Sequence, residues 1–346
     1  MKKNLLALSL SLGGVLLCAG GAHAQSSVEV SGLVDVFAGS IKNSGDAGRK
    51  SVVDSGGLTT SWFGFKGTED LGGGLKAGFQ LESGFESDTG AGTGSTGALA
   101  FQRQSEVNLS GSLGKLRLGR FGAATYFGIA DYGALDEPNH DTGSIADALY
   151  DYVMRNTNKI AYRSPVMAGL TLEAQASLQE KTTGAVQKNG YDLYANWERG
   201  PLALGAGFTQ LGDDKQFALR GHYLWNALQV GAYYQRSDNG SGSLCSNGGT
   251  GCGTRDAARV TAAYRVGASE LALGYGWASR WSHVPGSSAR QWILGYNHHL
   301  SKRTKLYAAY TRIDNGSGVA YGYNFKGGVG YGQDASSLSI GLRHAF

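Results

Sequence analysis

Proline is scarce in this chain, with 4 in 346 residues, and cysteine scarcer still, with 3. So little proline argues against a disordered or low-complexity polymer. Beyond the N-terminus, no stretch approaches the roughly 18 consecutive apolar residues of a transmembrane helix. If the chain spans a membrane, it must do so as a closed barrel, because only helices and closed barrels satisfy every backbone group in lipid. An excess of charge is lacking too. The 31 Lys and Arg against 27 Asp and Glu give no pull toward nucleic acid. Catalytic signatures are missing: there is no Gly-x-Ser-x-Gly elbow, no His-Glu-x-x-His and no phosphate loop. His298 and His299 are adjacent, but neighbours on a strand face opposite sides and cannot chelate one ion together. Nothing in the sequence calls for a cofactor, a metal or a catalytic residue.

The first residues read as a targeting segment. Lys2 and Lys3 precede a largely apolar run from Leu5 to Ala19, and Ala22-His23-Ala24 offers a small-residue cleavage site. Residues 1–24 are therefore expected to be a cleaved signal peptide and 25–346 a single barrel domain. Cys18 leaves with the signal. Cys245 and Cys252 remain, in a Gly/Ser/Asn-rich stretch of a chain bound for an oxidising compartment, so a disulfide within one loop is expected.

What the chain has is glycine, tyrosine and alternation. Gly is 56 and Tyr 18 of the residues, a composition suited to short strands, tight turns and aromatic girdles. In the last segment Leu338, Ile340, Leu342, His344 and Phe346 share one parity, while Ser337, Ser339, Gly341, Arg343 and Ala345 share the other. Leu271, Leu273, Tyr275 and Trp277 oppose Glu270, Ala272, Gly274 and Gly276 in the same way. About sixteen such segments fit, several of them long enough to span a bilayer as tilted strands. They include 28–41, 58–70, 74–86 and 101–111, and long polar loops are expected at 42–57, 87–100, 122–154, 238–255 and 314–334. Short turns alternating with long loops predict an all-β, 16-stranded antiparallel transmembrane β-barrel, too wide for side chains to fill. The polar parity becomes the pore lining. Outward aromatics such as Trp197, Tyr264, Trp292 and Tyr296 become interface anchors, and Tyr194 and Tyr233 point inward.

Longer matches carry a family likeness. The run from Ser61 to Phe85, SWFGFKGTEDLGGGLKAGFQLESGF, and the run from Arg103 to Arg120, RQSEVNLSGSLGKLRLGR, resemble two early hairpins of general porins from Gram-negative bacteria, particularly the β-proteobacterial and neisserial type. Arg155 to Pro165, Ser301 to Tyr310 and Gly341 to Phe346 resemble later strands of the same family, in order. The resemblance implies a homotrimer in the lipid and lipopolysaccharide of the outer membrane. It also implies passive diffusion of small hydrophilic solutes and ions, and a third outer loop, here about 122–154, folded inward as a constriction. In such porins basic wall residues face acids on that loop. Arg103 and Arg155 match two wall positions, and Arg103 is read as lying on the lumen parity. Trp62 stands where the family usually has Arg, with Lys66 and Arg120 as compensating bases and Glu82 and Asp35 also on the lumen parity. Asp131, Asp136, Glu137, Asp141 and Asp147 are the candidate loop acids. Weak ion selectivity follows from the missing Arg. Arg259, Arg265 and Lys159 are read as solvated lumen charges. The rival readings are a barrel with a more specific solute preference, and a non-transport barrel such as an enzyme or an adhesin.

Overall fold

A computed structural model describes residues 27–94, 96–130, 147–180, 188–240, 244–245, 251–323 and 329–346. The expected cleavage site after Ala24 lies outside these residues, as do Asp131, Asp136, Glu137 and Asp141. Seventeen strand segments form one sheet: β1 (Ser27–Asn43), β2 (Lys50–Ser55), β3 (Ser61–Gly72), β4 (Leu75–Phe85), β5 (Gln104–Gly111), β6 (Gly114–Arg120), β7 (Lys159–Arg163), β8 (Leu170–Ser177), β9 (Gly190–Arg199), β10 (Leu202–Leu211), β11 (Asp214–Trp225), β12 (Leu228–Asn239), β13 (Gly253–Val266), β14 (Ser269–Ala278), β15 (Ala289–His299), β16 (Thr304–Asn315) and β17 (Ala335–Ala345). From β3 onward each pairs antiparallel with the next, and β17 returns to β1 from Leu33↔Ala345 to Asn43↔Ala335, closing the ring.

β2 and β3 are two pieces of one stave, which makes the barrel sixteen-stranded. Both pair with the same edge of β1, β2 over Val36–Ile41 and β3 over Ser27–Leu33. Residues 56–60 leave the ladder between them, and Asp35 holds the excursion. Its carboxylate accepts the Leu58 and Thr59 backbone N–H groups at 2.8 and 2.9 Å and the Tyr307 hydroxyl at 2.6 Å. Asp35 is thus a structural acceptor rather than a pore charge. Gly57 is needed beneath that hydroxyl, because a Cβ there would stand 2.0 Å from it. The expectation of a loop over 42–57 is corrected, since the outer part of the stave occupies Lys50–Ser55. Its sequence, KSVVDS, places Val52 beside Val53 and has no two-residue period to read.

Burial is inside out, as expected where one face meets hydrocarbon. Leu273, Leu294 and Ile340 are exposed on the outer face, while Gln235, Gln291, Asn297 and Ser339 are buried on the inner one. Tyr264, Trp292 and Tyr296 are outward and exposed, and Tyr275 packs on Trp292 with ring centroids 4.3 Å apart.

The lumen is not lined by polar groups throughout. On β13 to β16 many inward positions are apolar, among them Ala257, Ala278, Ile293, Ala309 and Ile313. They receive Leu149 from the 121–158 loop and Val319, Tyr321 and Tyr323 from the loop after β16. One side of the barrel is therefore packed with folded-in loops. Arg255 binds them together: its guanidinium donates to the Leu149 carbonyl oxygen and the Tyr321 hydroxyl, and lies 4.8 Å from the Trp281 ring. The Cys245–Cys252 disulfide bridges the outer connection between β12 and β13. The outer connection between β10 and β11 is only Gly212-Asp213, with Gly212 at φ +63°, so the short-long alternation breaks there.

Candidate pore constriction

The loop after β6 turns into the barrel as a short helix, α1 (Ala124–Ile129). It has no side-chain cap of its own. Instead the lumen wall satisfies its first turn, where the Thr125 N–H donates to Asp192 Oδ2 at 3.1 Å and the Thr125 hydroxyl to the Leu193 carbonyl at 3.3 Å. The Tyr194 hydroxyl donates to the Gly128 carbonyl at 3.2 Å. At the base of the loop, Phe121 lies under the Arg117 guanidinium at 4.0 Å and the Lys159 ammonium at 5.0 Å. Arg117 is itself paired with Glu106 at 2.5 Å and Glu173 at 3.3 Å.

The returning half of the loop is pinned to the far wall. The Asp147 side chain is buried, ion-paired with Arg259 at 3.3 Å and hydrogen-bonded by the Tyr233 hydroxyl. The Ala148 N–H donates to Gln291 Oε1 at 3.1 Å, and Asp151 exchanges two 2.9 Å hydrogen bonds with the Gln235 amide. Asp147 is therefore a tether to the β13 wall and not an acid facing Arg103 or Arg155. Arg259 is its anchor and not a solvated lumen charge. Lys159 is buried as well, donating to the Gly122 carbonyl at 3.1 Å. Arg265 pairs with Glu270 at 3.0 Å.

A void of about 760 Å³ remains between α1 and the wall of β3 to β6. The wall contributes Trp62, Glu82, Arg103, Gln104 and Arg120; the loop contributes Tyr126, Phe127 and Tyr152. A second void of about 420 Å³, toward β8 and β9, shares Gln104, Gly122 and Phe127 with it, so the two meet around the Phe127 ring.

Four of the sequence candidates, Trp62, Glu82, Arg103 and Arg120, thus meet in one place. Arg103 is ion-paired with Glu82 at 3.1 Å, and its guanidinium carbon lies 5.9 Å from the Trp62 ring centroid. Arg120 donates its Nε–H to the Gln102 carbonyl oxygen and has no carboxylate partner among the described residues. Two candidates stand elsewhere. Lys66 pairs with Glu29 at 3.1 Å, four residues along β3 from Trp62 and so about 13 Å toward the periplasmic turn. Arg155 caps strand ends, donating to the Leu178 and Lys188 carbonyl oxygens at 2.8 and 3.1 Å. Neither lines these two voids.

The parity assigned to Arg103 is corrected. On β5 the lumen face carries Gln104, Glu106 and Asn108, with Val107 and Leu109 exposed outside. Arg103 precedes the strand, and the irregular backbone there lets Gln102, Arg103 and Gln104 all line the void. The expected strand over 101–111 begins only at Gln104. The tether residues could have been suspected from inward glutamines and Tyr233 alone, but their loop partners lie 84 to 143 residues away in sequence.

Asp54, Glu86 and Asp88 bring one carboxylate oxygen each within 4.8 Å of one another, near enough for a single cation; acids also gather in this way without one.

A family model described as Gram-negative porin matches residues 7–318. The chain belongs to that family. It is 31% identical over its whole length to outer membrane porin protein 32 of Delftia acidovorans, with all of both chains covered. To an outer membrane porin protein of Bordetella pertussis it is 30% identical, again over all of both chains. Among solved structures, the anion-selective porin from Comamonas acidovorans aligns with a TM-score of 0.72 at 26% identity, covering 93% of this chain and all of that one. As a Gram-negative porin, the protein is a passive channel of the outer membrane, and its family and relatives are channels rather than enzymes.

Proposed function

We propose that this Gram-negative porin passes small hydrophilic solutes and ions with a mild preference for anions, and that the void beside α1 is where it discriminates. The observation that carries this reading is the charge pairing at the wall. Glu82 neutralises Arg103, which leaves Arg120 as the base in that void without a carboxylate partner among the described residues. A ring of like charge at the narrowest point sets ion preference; here one guanidinium bonded to a carbonyl instead of a carboxylate, with Glu86 on the same void, gives only a weak bias. The missing wall Arg at position 62 points the same way. The name of the Comamonas acidovorans structure as an anion-selective porin supports the sign. Asp131, Asp136, Glu137 and Asp141, outside the described residues, are the candidate loop acids that oppose this bias and keep it weak in this reading, with Lys66 and Arg155 as more distant bases that tune the field along the path. The working form is a homotrimer in contact with lipopolysaccharide, made after removal of residues 1–24.

Reversal potential across a planar bilayer in a potassium chloride gradient tests the reading. Wild type is expected to show weak anion selectivity, Trp62→Arg a stronger one, and Arg120→Gln little or none. Potentials unmoved by both substitutions would place the selective point elsewhere.

A further inference from the structure

Two features of the void exceed what a charge filter needs. Its loop side is a wall of rings locked edge to face. Tyr126 lies 4.8 Å from Tyr152, 5.7 Å from Phe127 and 5.5 Å from Tyr150, and Tyr150 stands 5.5 Å from Tyr233 on β12. Its barrel side carries Trp62. Planar apolar surface therefore borders the path from both sides, close to the one guanidinium there that has no carboxylate partner among the described residues.

We propose that this section of the pore is a binding subsite for small planar aromatic monocarboxylates, the benzoate class of solute. The inference rests on the reading above that solutes pass beside α1. An aromatic ring held between Trp62 and Phe127 gains offset or edge-to-face stacking, which adds about two- to tenfold in affinity beyond simple burial. The carboxylate falls to Arg120, whose guanidinium offers the forked donors such a group prefers. A second carboxylate is disfavoured, because Arg103 is already engaged by Glu82 and the void also borders Glu86. One guanidinium held by a carbonyl rather than a carboxylate, set among two acids, together with two aromatic faces, favours a single negative charge on a flat body. A saturated ring of the same carbon count keeps the charge but loses the stacking, and this separates the proposal from selection by size or charge alone.

The test uses the full porin in planar bilayers at about pH 8, where both probe acids are ionised. Sodium benzoate and sodium cyclohexanecarboxylate are titrated against the single-channel potassium chloride current, and the concentrations giving half block are compared. In wild type, benzoate is expected to block at about two- to tenfold lower concentration. In Trp62→Leu and in Phe127→Leu the two values should converge, and in Arg120→Gln both should rise. Because the two leucine variants are judged by the ratio of two probes on the same channel, a general change in conductance does not mimic their result. Equal block in wild type, or a ratio that survives both leucine substitutions, overturns the proposal. The potassium chloride reversal potential of Trp62→Arg separates the two levels. If it moves while the probes block equally, the selective point stands and only the aromatic subsite fails; if it stays fixed, the path itself has been misplaced.

Discussion

Replacing Asp147 by Asn should loosen the constriction without unfolding the barrel. The carboxylate and its Arg259 partner are nearly dry, with side chains 4% and 7% exposed, and they lie 3.3 Å apart. At an effective dielectric of 20 two unit charges at that distance attract by about 5 kcal/mol, and removing one member of a buried pair costs about 3–5 kcal/mol. Arg259 has an interaction besides this ion pair, and Asn keeps an acceptor for the Tyr233 hydroxyl, so the lower end applies. A loss of about 3 kcal/mol multiplies local opening roughly a hundredfold. The Gln291, Gln235 and Arg255 contacts to residues 148–151 persist, so the segment opens more often but still returns. The assay is twofold: excess current noise in single channels, and hydrogen exchange at the Ala148 and Asp151 amides. Both should rise in Asp147→Asn, and Arg259→Gln added to it should recover part of the change. Noise and exchange equal to wild type would show that this ion pair does not hold the loop, and would refute the reasoning.

Three further outcomes follow from features of the fold. Gly57→Ala forces a Cβ to within 2.0 Å of the Tyr307 hydroxyl and should cost about 1–3 kcal/mol, as overpacking does, read as an earlier denaturation midpoint on heating in detergent; Tyr307→Phe removes the hydrogen bond to Asp35 and eases only part of the clash in the double variant, because the ring carbon still lies 2.9 Å from the new Cβ. Cys245→Ser opens a disulfide closing a sequence separation of 7, which should remove up to about 2.5 kcal/mol of loop order by chain entropy, seen as faster protease nicking between β12 and β13 with unchanged conductance. Asp46, in the turn after β1, accepts the Asn43 backbone N–H and a Lys50 ion pair, which together hold its carboxyl below the usual aspartate range. A depressed folded pKa gives stability present above the unfolded value and lost as pH falls through the folded one, so amide protection in that turn should persist at neutral pH, fade in strong acid, and be weak at every pH in Asp46→Asn.

Most of the scaffold could be read from alternation, because the side-chain period of two is a direct consequence of one wall meeting two solvents. Leu338, Ile340 and Leu342 could only face outward once Ser337 and Ser339 were inside. The grouping of Trp62 and Arg103 with Arg120 came from family likeness, since nothing in the spacing of residue 62 and residue 120 brings them together, while Glu82 came from the lumen parity. What escaped the sequence has a common cause. Arg103 reaches the void only because the backbone is irregular before β5, which no periodicity reports. β2 hides in a segment with adjacent valines. Asp147 looked like a pore acid because its partner, Arg259, lies on the opposite wall, and contacts of that kind are made by the fold rather than by neighbours in sequence.

The loops that fill the β13 to β16 side leave the two voids on the other side of the ring. On the proposed path, discrimination falls to chain positions between about 60 and 160, and mechanical support largely to positions beyond 190. Exchanging the earlier stretch between relatives would carry over what each channel admits, while drift in the later stretch would register as steadiness of the current.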